Sequence, residues 1–283
     1  MTVTGVAGSP GRVDLHTHSA YSDGLLSPAA LVESARQAGI GWLGLTDHDT
    51  LAGLAEAKSA AASAGIELIP GVELSADEEG FEVHVLGYFV PEASLMLIVA
   101  LAGFARDRVE RVRQIVENLV ALGVNITQTR VDEIAGHGSM GRPHIGRALI
   151  EAGYGSSMNQ VFADYLAPGC PAYVPAKPFP PEAAVSLLHA AGAAPVLAHP
   201  HSAGAIPPML ARLKPLGLVG LECFYGEYDP AVRRTLAKLA DDWSLIPTGG
   251  SDYHGPNFKP GRDLGRPDVP RSSVDRLRVA ARS

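Results

Sequence analysis

Cysteine, basic excess and a membrane-length apolar run are what this 283-residue chain has little of, and each shortage removes a class of function. Lys and Arg number 23 against 30 Asp and Glu, a formal net charge of −7. The broad basic face with which proteins hold duplex DNA through its backbone is therefore not expected. The two cysteines, Cys170 and Cys223, lie far apart and neither belongs to a CxxC pair. That speaks against a disulfide scaffold and structural zinc, and for a reduced, cytoplasmic setting. The apolar stretch from Leu95 to Ala105 is too short to span a bilayer and runs into RDRVERVR, so no membrane segment is expected. The opening MTVTGVAGSPGR lacks a charged region followed by an apolar core and reads as a flexible leader, not a signal peptide. Internal repeats and low-complexity tracts are absent from the sequence.

What is there is a large apolar fraction, 46%, enough for one sizeable core. Short apolar runs at 13–17, 41–46, 66–74, 83–89, 194–198, 218–223 and 244–248 read as strands, most followed by an amphipathic helical stretch. Pro28 is placed as a first-turn proline behind a Ser27 cap, with Gly39 as the stop. Such βα alternation predicts a mainly parallel sheet in an α/β fold. The rhythm breaks from 92 to 167, where Leu101, Ala105, Val109, Val112, Val116 and Leu119 recur at helical spacing. A helical insertion capping a barrel made of 12–91 and 168–283 is the expected organisation.

Potential metal ligands fall in short clusters: His16 and His18 in VDLHTH, Asp23 in YSDG, His48 in TDHD, Glu73 and His84, His199 in AHPH, and Asp252 with His254 in SDYH. In a strand, His16 and His18 would face the same side, so the HxH pair can deliver two imidazoles to one ion. Nearly all of these residues stand at or just past a predicted strand end, where a β/α barrel gathers its active site. Divalent cations held there would lower the pKa of a bridging water enough to make hydroxide near neutral pH. Glu73 is a poor tenant of an apolar core unless it bridges cations. Asp47 is expected to orient an imidazole from outside the ligand set, and Asp49 to cap the next helix or hold a turn. His84 and His199 could instead be satisfied core histidines. His137 and His189 are given no role.

Arg142, at the start of a predicted cap helix, is the first candidate for a substrate phosphate, with Lys177 and His201 behind it. Arg106, Arg108, Arg111 and Arg113 read as the solvated face of a long helix. Phe224 and Tyr225 could stack on a base or pack the rim. Gly250 would let backbone pass close to bound ions.

The motifs VDLHTHSAYSDG, LTDHDT, RDRVERVR, GRPHIGRAL and AYVPAKPF, in this order, resemble the PHP (polymerase and histidinol phosphatase) superfamily of metal-dependent phosphoesterases, in its TrpH-like branch. The resemblance runs from Val13 to His254. It implies a distorted (β/α)7 barrel with a trinuclear centre. One ion would be held by His16, His18, Glu73 and Asp252, a second by Asp23, His48 and His254, and a third by Glu73, His84 and His199. Mixed imidazole and carboxylate ligation suits manganese, iron or zinc. The branch implies a small phosphorylated substrate: nucleoside 3',5'-bisphosphates or AMP first, or short RNA cut from its 5' end. An amidohydrolase, which also begins with HxH, and a nucleotide-sensing metal module without turnover are the competing readings.

Overall fold

The structure is a computed structural model and describes residues 11–78, 81–136, 138–200 and 206–281. Seven strands form one sheet in sequence order: β1 Arg12–Asp14, β2 Ile40–Leu45, β3 Glu67–Glu78, β4 Phe81–Tyr88, β5 Ala194–Leu197, β6 Gly220–Tyr225 and β7 Ile246–Gly250. All neighbours run parallel except at β4, which is antiparallel to both β3 and β5. The reversal has a simple cause. β3 and β4 pair out to Glu78 and Phe81 as a hairpin, with no room between them for the crossover helix that a parallel return needs. The barrel nearly closes: Leu15 N donates to Gly249 O at 3.2 Å and Asp252 N to His16 O at 2.8 Å, joining the first and last strand exits.

Helices α1 Pro28–Gln37 and α2 Leu54–Ala64 follow the first two strands. Ser27 caps α1 as its sequence predicts, its side chain accepting from Ala30 N, and Gly39 follows at φ +75°. α7 Pro181–Ala190, α8 Ile206–Leu213, α9 Pro230–Asp242 and α10 Arg271–Ala280 cover the second half. Between them comes α3 Leu95–Ala121, then α4 Gln128–Ala135, α5 Arg142–Glu151 and α6 Met158–Val161, which runs into a π-helical turn Phe162–Leu166.

Two apolar clusters matter for the site. Val72, Leu74, Val85, Leu188, Leu197 and Leu221 form a core between strands and helices, joined by Leu97 and Leu101 from α3. Further along the same helix, Val112, Ile115, Val116 and Leu119 pack on Val131, Ile145, Leu149 and Val161. At 27 residues α3 is about 40 Å long, long enough to stand in both cores at once. No described helix is long and apolar enough to cross a membrane.

Candidate metal centre

His16 and His18 lie just past β1, fully buried, with their Nε2 atoms 3.1 Å apart. Glu73 Oε2 sits 3.0 Å from the first and 3.2 Å from the second, and Asp252 Oδ1 lies 3.5 and 3.1 Å from the same two atoms. Two ligand atoms held about 2.1 Å from one ion at tetrahedral angles stand about 3.4 Å apart. The four donors therefore have the spacing of a ligand shell. Neutral imidazoles would point lone pairs at each other across such a gap, so a proton or a cation must sit between them.

Glu73 turns its other oxygen to a second group, with Oε1 2.9 Å from His84 Nδ1 and 3.1 Å from His199 Nε2; those two nitrogens are 3.2 Å apart. Glu73 is thus shared by two donor groups. It lies in the middle of β3, not at its end, and is only 1% exposed. His254 Nε2 stands 3.2 Å from Asp23 Oδ1, and donor atoms of His18, Asp23, His48 and His254 all fall within 4.8 Å of one another. Asp23 Oδ1 and His48 Nδ1 are buried and make no well-aligned hydrogen bond among the described residues, although His254 Nε2 and Glu73 Oε2 stand 3.2 and 3.4 Å away. Crowded donors left without a well-formed bond fit a cation at this spot. The structure therefore brings all nine expected ligands together, while His18 also reaches the Asp23 group and His48 the Glu73–His84 group.

The charges follow from the crowding. Burial works against every charged group here, but the imidazoles of His48, His16 and His84 hold Glu73 well below its usual range. His16, His254 and Arg262 do the same for Asp252, and His254 and His48 for Asp23. Burial also opposes the His18 cation, yet hydrogen bonds to Asp252 and Glu73 raise its pKa to about 10. His48 goes the other way, driven by burial to about 3.

Around the donors stands a set of supporting contacts, several of which sequence reasoning missed. Fully buried Glu222 on β6 accepts at Oε1 from His16 Nδ1 (2.9 Å) and at Oε2 from His199 N (2.7 Å). An acid in the apolar run GLECFY is the same signal that singled out Glu73. Asp47 accepts from Ser19 N, Ser19 Oγ and Ser22 Oγ at 2.6–2.7 Å, so it shapes the 19–23 turn that carries Asp23 and reaches an imidazole through Ser22, whose Oγ lies 3.5 Å from His18 Nδ1. Arg147 of α5 donates to the Asp23 carbonyl at 2.7 Å from the other side. Tyr225 is no stacking platform, being 5% exposed with its hydroxyl donating to Asp252 Oδ2 at 2.7 Å; Arg262 Nη1 is 2.8 Å from the same oxygen. Phe224 packs partly buried against the core. Gly250 serves a close approach to protein, since a Cβ there would lie 2.3 Å from His16 N.

Asp49, Asp252 and His199 adopt positive φ of 48°, 54° and 23°. Aspartate tolerates this region; for His199 the strain is of order 1–3 kcal/mol, which surrounding contacts must offset. Of its two expected places Asp49 takes the turn and not the cap, which falls to Gly53 at α2: Oδ1 accepts from Ser75 N at 2.9 Å and Oδ2 pairs with Arg108. Arg108 and Arg111 are thus not a solvated face. Arg108 lies on the stripe that carries Leu101, Ala105 and Val112, and Arg111 Nε donates to Val174 O at 2.8 Å, while Arg106 and Arg113 are exposed as expected. Arg142, 13% exposed, donates to Glu82 Oε1 at 2.7 Å beside the His84 strand. Lys177 does not join the cluster; its ammonium pairs with Asp107 and its side chain is 74% exposed. His201 lies outside the described residues, as does His137.

The PHP domain profile matches residues 14–137. The chain is 35% identical over 259 residues to the 5'-3' exoribonuclease Rnm of Escherichia coli, covering 89% of this chain and 88% of that protein. It is 34% identical, again over 259 residues, to a 3',5'-nucleoside bisphosphate phosphatase of Chromobacterium violaceum, covering 90% of each. A solved structure from Bifidobacterium adolescentis, assigned as a metal-dependent phosphoesterase, superposes with a TM-score of 0.88 at 29% identity, over 96% of this chain and 97% of that one.

Proposed function

Since the chain belongs to the PHP family of metal-dependent phosphoesterases, we propose that it hydrolyses phosphate monoesters of small nucleotides, nucleoside 3',5'-bisphosphates foremost. The observation that carries this reading is Glu73, whose two carboxylate oxygens each sit about 3 Å from a separate set of imidazoles. Two or three divalent cations, manganese, iron or zinc, would be held by His16, His18, Glu73 and Asp252, by Asp23, His48 and His254, and by Glu73, His84 and His199. Bound there, they supply Lewis acidity to the phosphoryl group and lower the pKa of water.

The protein's own part is positioning. Glu222 fixes the ring of His16 and the backbone of His199, and Tyr225 with Arg262 fixes Asp252. Arg142 would meet a substrate phosphate with a planar fork of donors. Residues 92–167 would act as a cap over the barrel of 12–91 and 168–283 and narrow its mouth, which favours small substrates. The free cysteines, Cys170 and Cys223, fit a cytoplasmic setting.

A second reading, stepwise 5' to 3' cleavage of short RNA, is favoured by the exoribonuclease activity of the Escherichia coli relative. Phosphate release from adenosine 3',5'-bisphosphate and AMP, nucleotide release from a short oligoribonucleotide, and turnover of an amide substrate, each during manganese titration, separate the readings. Fast release from the bisphosphate supports the proposal; turnover of the oligoribonucleotide alone selects the second. Turnover of the amide alone would return the chain to amidohydrolase chemistry, and binding without any turnover would make it a sensor.

A further inference from the structure

Asp23 stands on a turn between β1 and α1 that belongs to no strand, and that turn is held from two sides. From the barrel side the bonds go to amides and hydroxyls: Ser22 N and Gly24 N donate to Ser19 O at 3.0 Å, and Asp47 takes Ser19 and Ser22. The carbonyls of Ala20, Tyr21, Ser22 and Asp23 meet α5 and the segment before it. Ser139 N donates to Tyr21 O at 2.6 Å, and Arg147 Nη2 to Asp23 O at 2.7 Å. A Cβ on Gly138 would lie 2.6 Å from Ala20 O and 3.0 Å from Ser22 O, so a side chain there would push the turn away. His144, 2% exposed, accepts from Gly141 N at Nδ1 (3.1 Å). That leaves the proton of the neutral ring on Nε2, with the Ser22 carbonyl as its acceptor.

Buried carbonyls without donors cost free energy, so a turn that sets its carbonyls against α5 keeps its shape only while α5 is docked. The shape matters to the donors. Asp23 Oδ1 lies 3.2 Å from His254 Nε2, and Leu25 N donates to His254 O at 2.7 Å, so a shift of the turn changes the spacing of that group directly. Elsewhere the support comes from other elements: Glu222 and Tyr225 on β6, with Arg262 after β7, fix His16, His199 and Asp252. A cavity of about 410 Å3, lined by Tyr21, Leu25, Glu56 and Ile134 among others, opens where the turn meets α4, so polar ties carry much of the contact.

We propose that His144 and Arg147 are positioning residues that set Asp23, through the carbonyls of its turn, for the ion it would share with His48 and His254. Metal affinity in that one group then depends on a helix that supplies no ligand. This rests on the metal-dependent reading of the site and deepens it. Because linkage is mutual, an ion held there must in turn tighten α5 against the turn.

Manganese titration of the chelator-treated full chain, with bound metal counted by elemental analysis, reads the affinity of each equivalent. Arg147→Met keeps the aliphatic stem and loses the donor; His144→Asn keeps the acceptor for Gly141 N and loses the donor to Ser22 O. In each, one equivalent should bind about tenfold or more weakly while the rest are unchanged, and Arg147→Lys, which keeps a cationic donor, should recover part of the loss. Arg130→Met is the control: it breaks ion pairs to Glu133 and Glu151 and should leave every equivalent in place. A loss spread over all equivalents, the same loss in the control, or no loss in Arg147→Met overturns the proposal. Amide hydrogen exchange gives an answer that needs no turnover. The Ser22, Gly24 and Ser139 amides should exchange faster in Arg147→Met, and slower when the unaltered protein is loaded with manganese; rates that Arg147→Met leaves unchanged overturn the clamp. If the unaltered chain binds no manganese, the metal-dependent reading itself fails, while exchange in the variants still decides whether α5 holds the turn.

Discussion

Glu222 shows how much a single side chain outside the ligand set can control. One oxygen receives the His16 ring and the other the His199 backbone, so one carboxylate sets donors of two different groups. Glu222→Gln keeps the volume but turns a donor toward one of these N–H groups. We expect metal affinity to fall by about 10- to 100-fold, the usual effect of removing a partner behind a ligand, with the folded state retained; titration with manganese followed by elemental analysis reads it. Wild-type affinity in the variant would refute the role. His16→Ala and Asp252→Ala, by contrast, should lower phosphoesterase activity to below about one hundredth, since both remove a donor outright; activity that survives both changes rules out the metal-dependent mechanism. At this scale the sequence was generous with ligands and poor with their supports. HxH, TDHD and SDYH announce themselves by spacing, whereas Tyr225, Arg262 and Arg147 gain their roles only from residues far along the chain.

Secondary elements carry the site through close approach as much as through hydrogen bonds. β7 passes so near β1 that a Cβ on Gly250 would stand 2.3 Å from the backbone nitrogen of His16. Backbone cannot yield as a flexible side chain does, so Gly250→Ala should cost about 1–3 kcal/mol and displace His16. A matched control is Gly103→Ala on α3, where nothing lies within 4 Å. Thermal melts of the two variants check this; equal melting temperatures would contradict it. The α9 cap offers a milder case. Asp229 accepts from Ala231 N and Val232 N at 2.7 and 2.9 Å, and Asp229→Ala should destabilise by about 1 kcal/mol with turnover intact. Element existence was legible because apolar periodicity is local. The antiparallel sense of β4 was not, since it depends on β3 and β4 staying paired out to Glu78 and Phe81, a contact between strands that neither strand's own pattern specifies.

For the whole molecule, the donor cluster predicts that metal and pH act together. In chelator-treated protein, Glu73, Asp252 and Asp23 have depressed pKa values, so their contribution is complete above their ordinary values near 4 and is lost on acidification below them. His16 and His18 are raised, His18 to about 10, so their contribution is complete below the ordinary 6.5 and fades as pH rises toward 10. His48, kept neutral by burial, works in the opposite sense below about 6.5, where the unfolded chain would protonate it, and is outweighed by the two raised imidazoles. The stripped protein should therefore melt at lower temperature at pH 9 than at pH 6, while the manganese-loaded protein should not, because ligands must shed protons to bind. Parallel pH profiles with and without chelator would count against the site.

Residue types and local periodicity were enough to pick out the barrel-forming elements, a helical stretch between β4 and β5 and nine candidate metal ligands that the fold brings together, because ligand chemistry and strand or helix pattern are properties of short segments. Tertiary structure alone decided that Arg108 and Arg111 turn inward, that Asp47 shapes a turn, and that Tyr225 holds Asp252. Each of those roles depends on a partner brought close by barrel closure and by α3 reaching across two cores, and distances of that kind are not written in any local stretch of the chain.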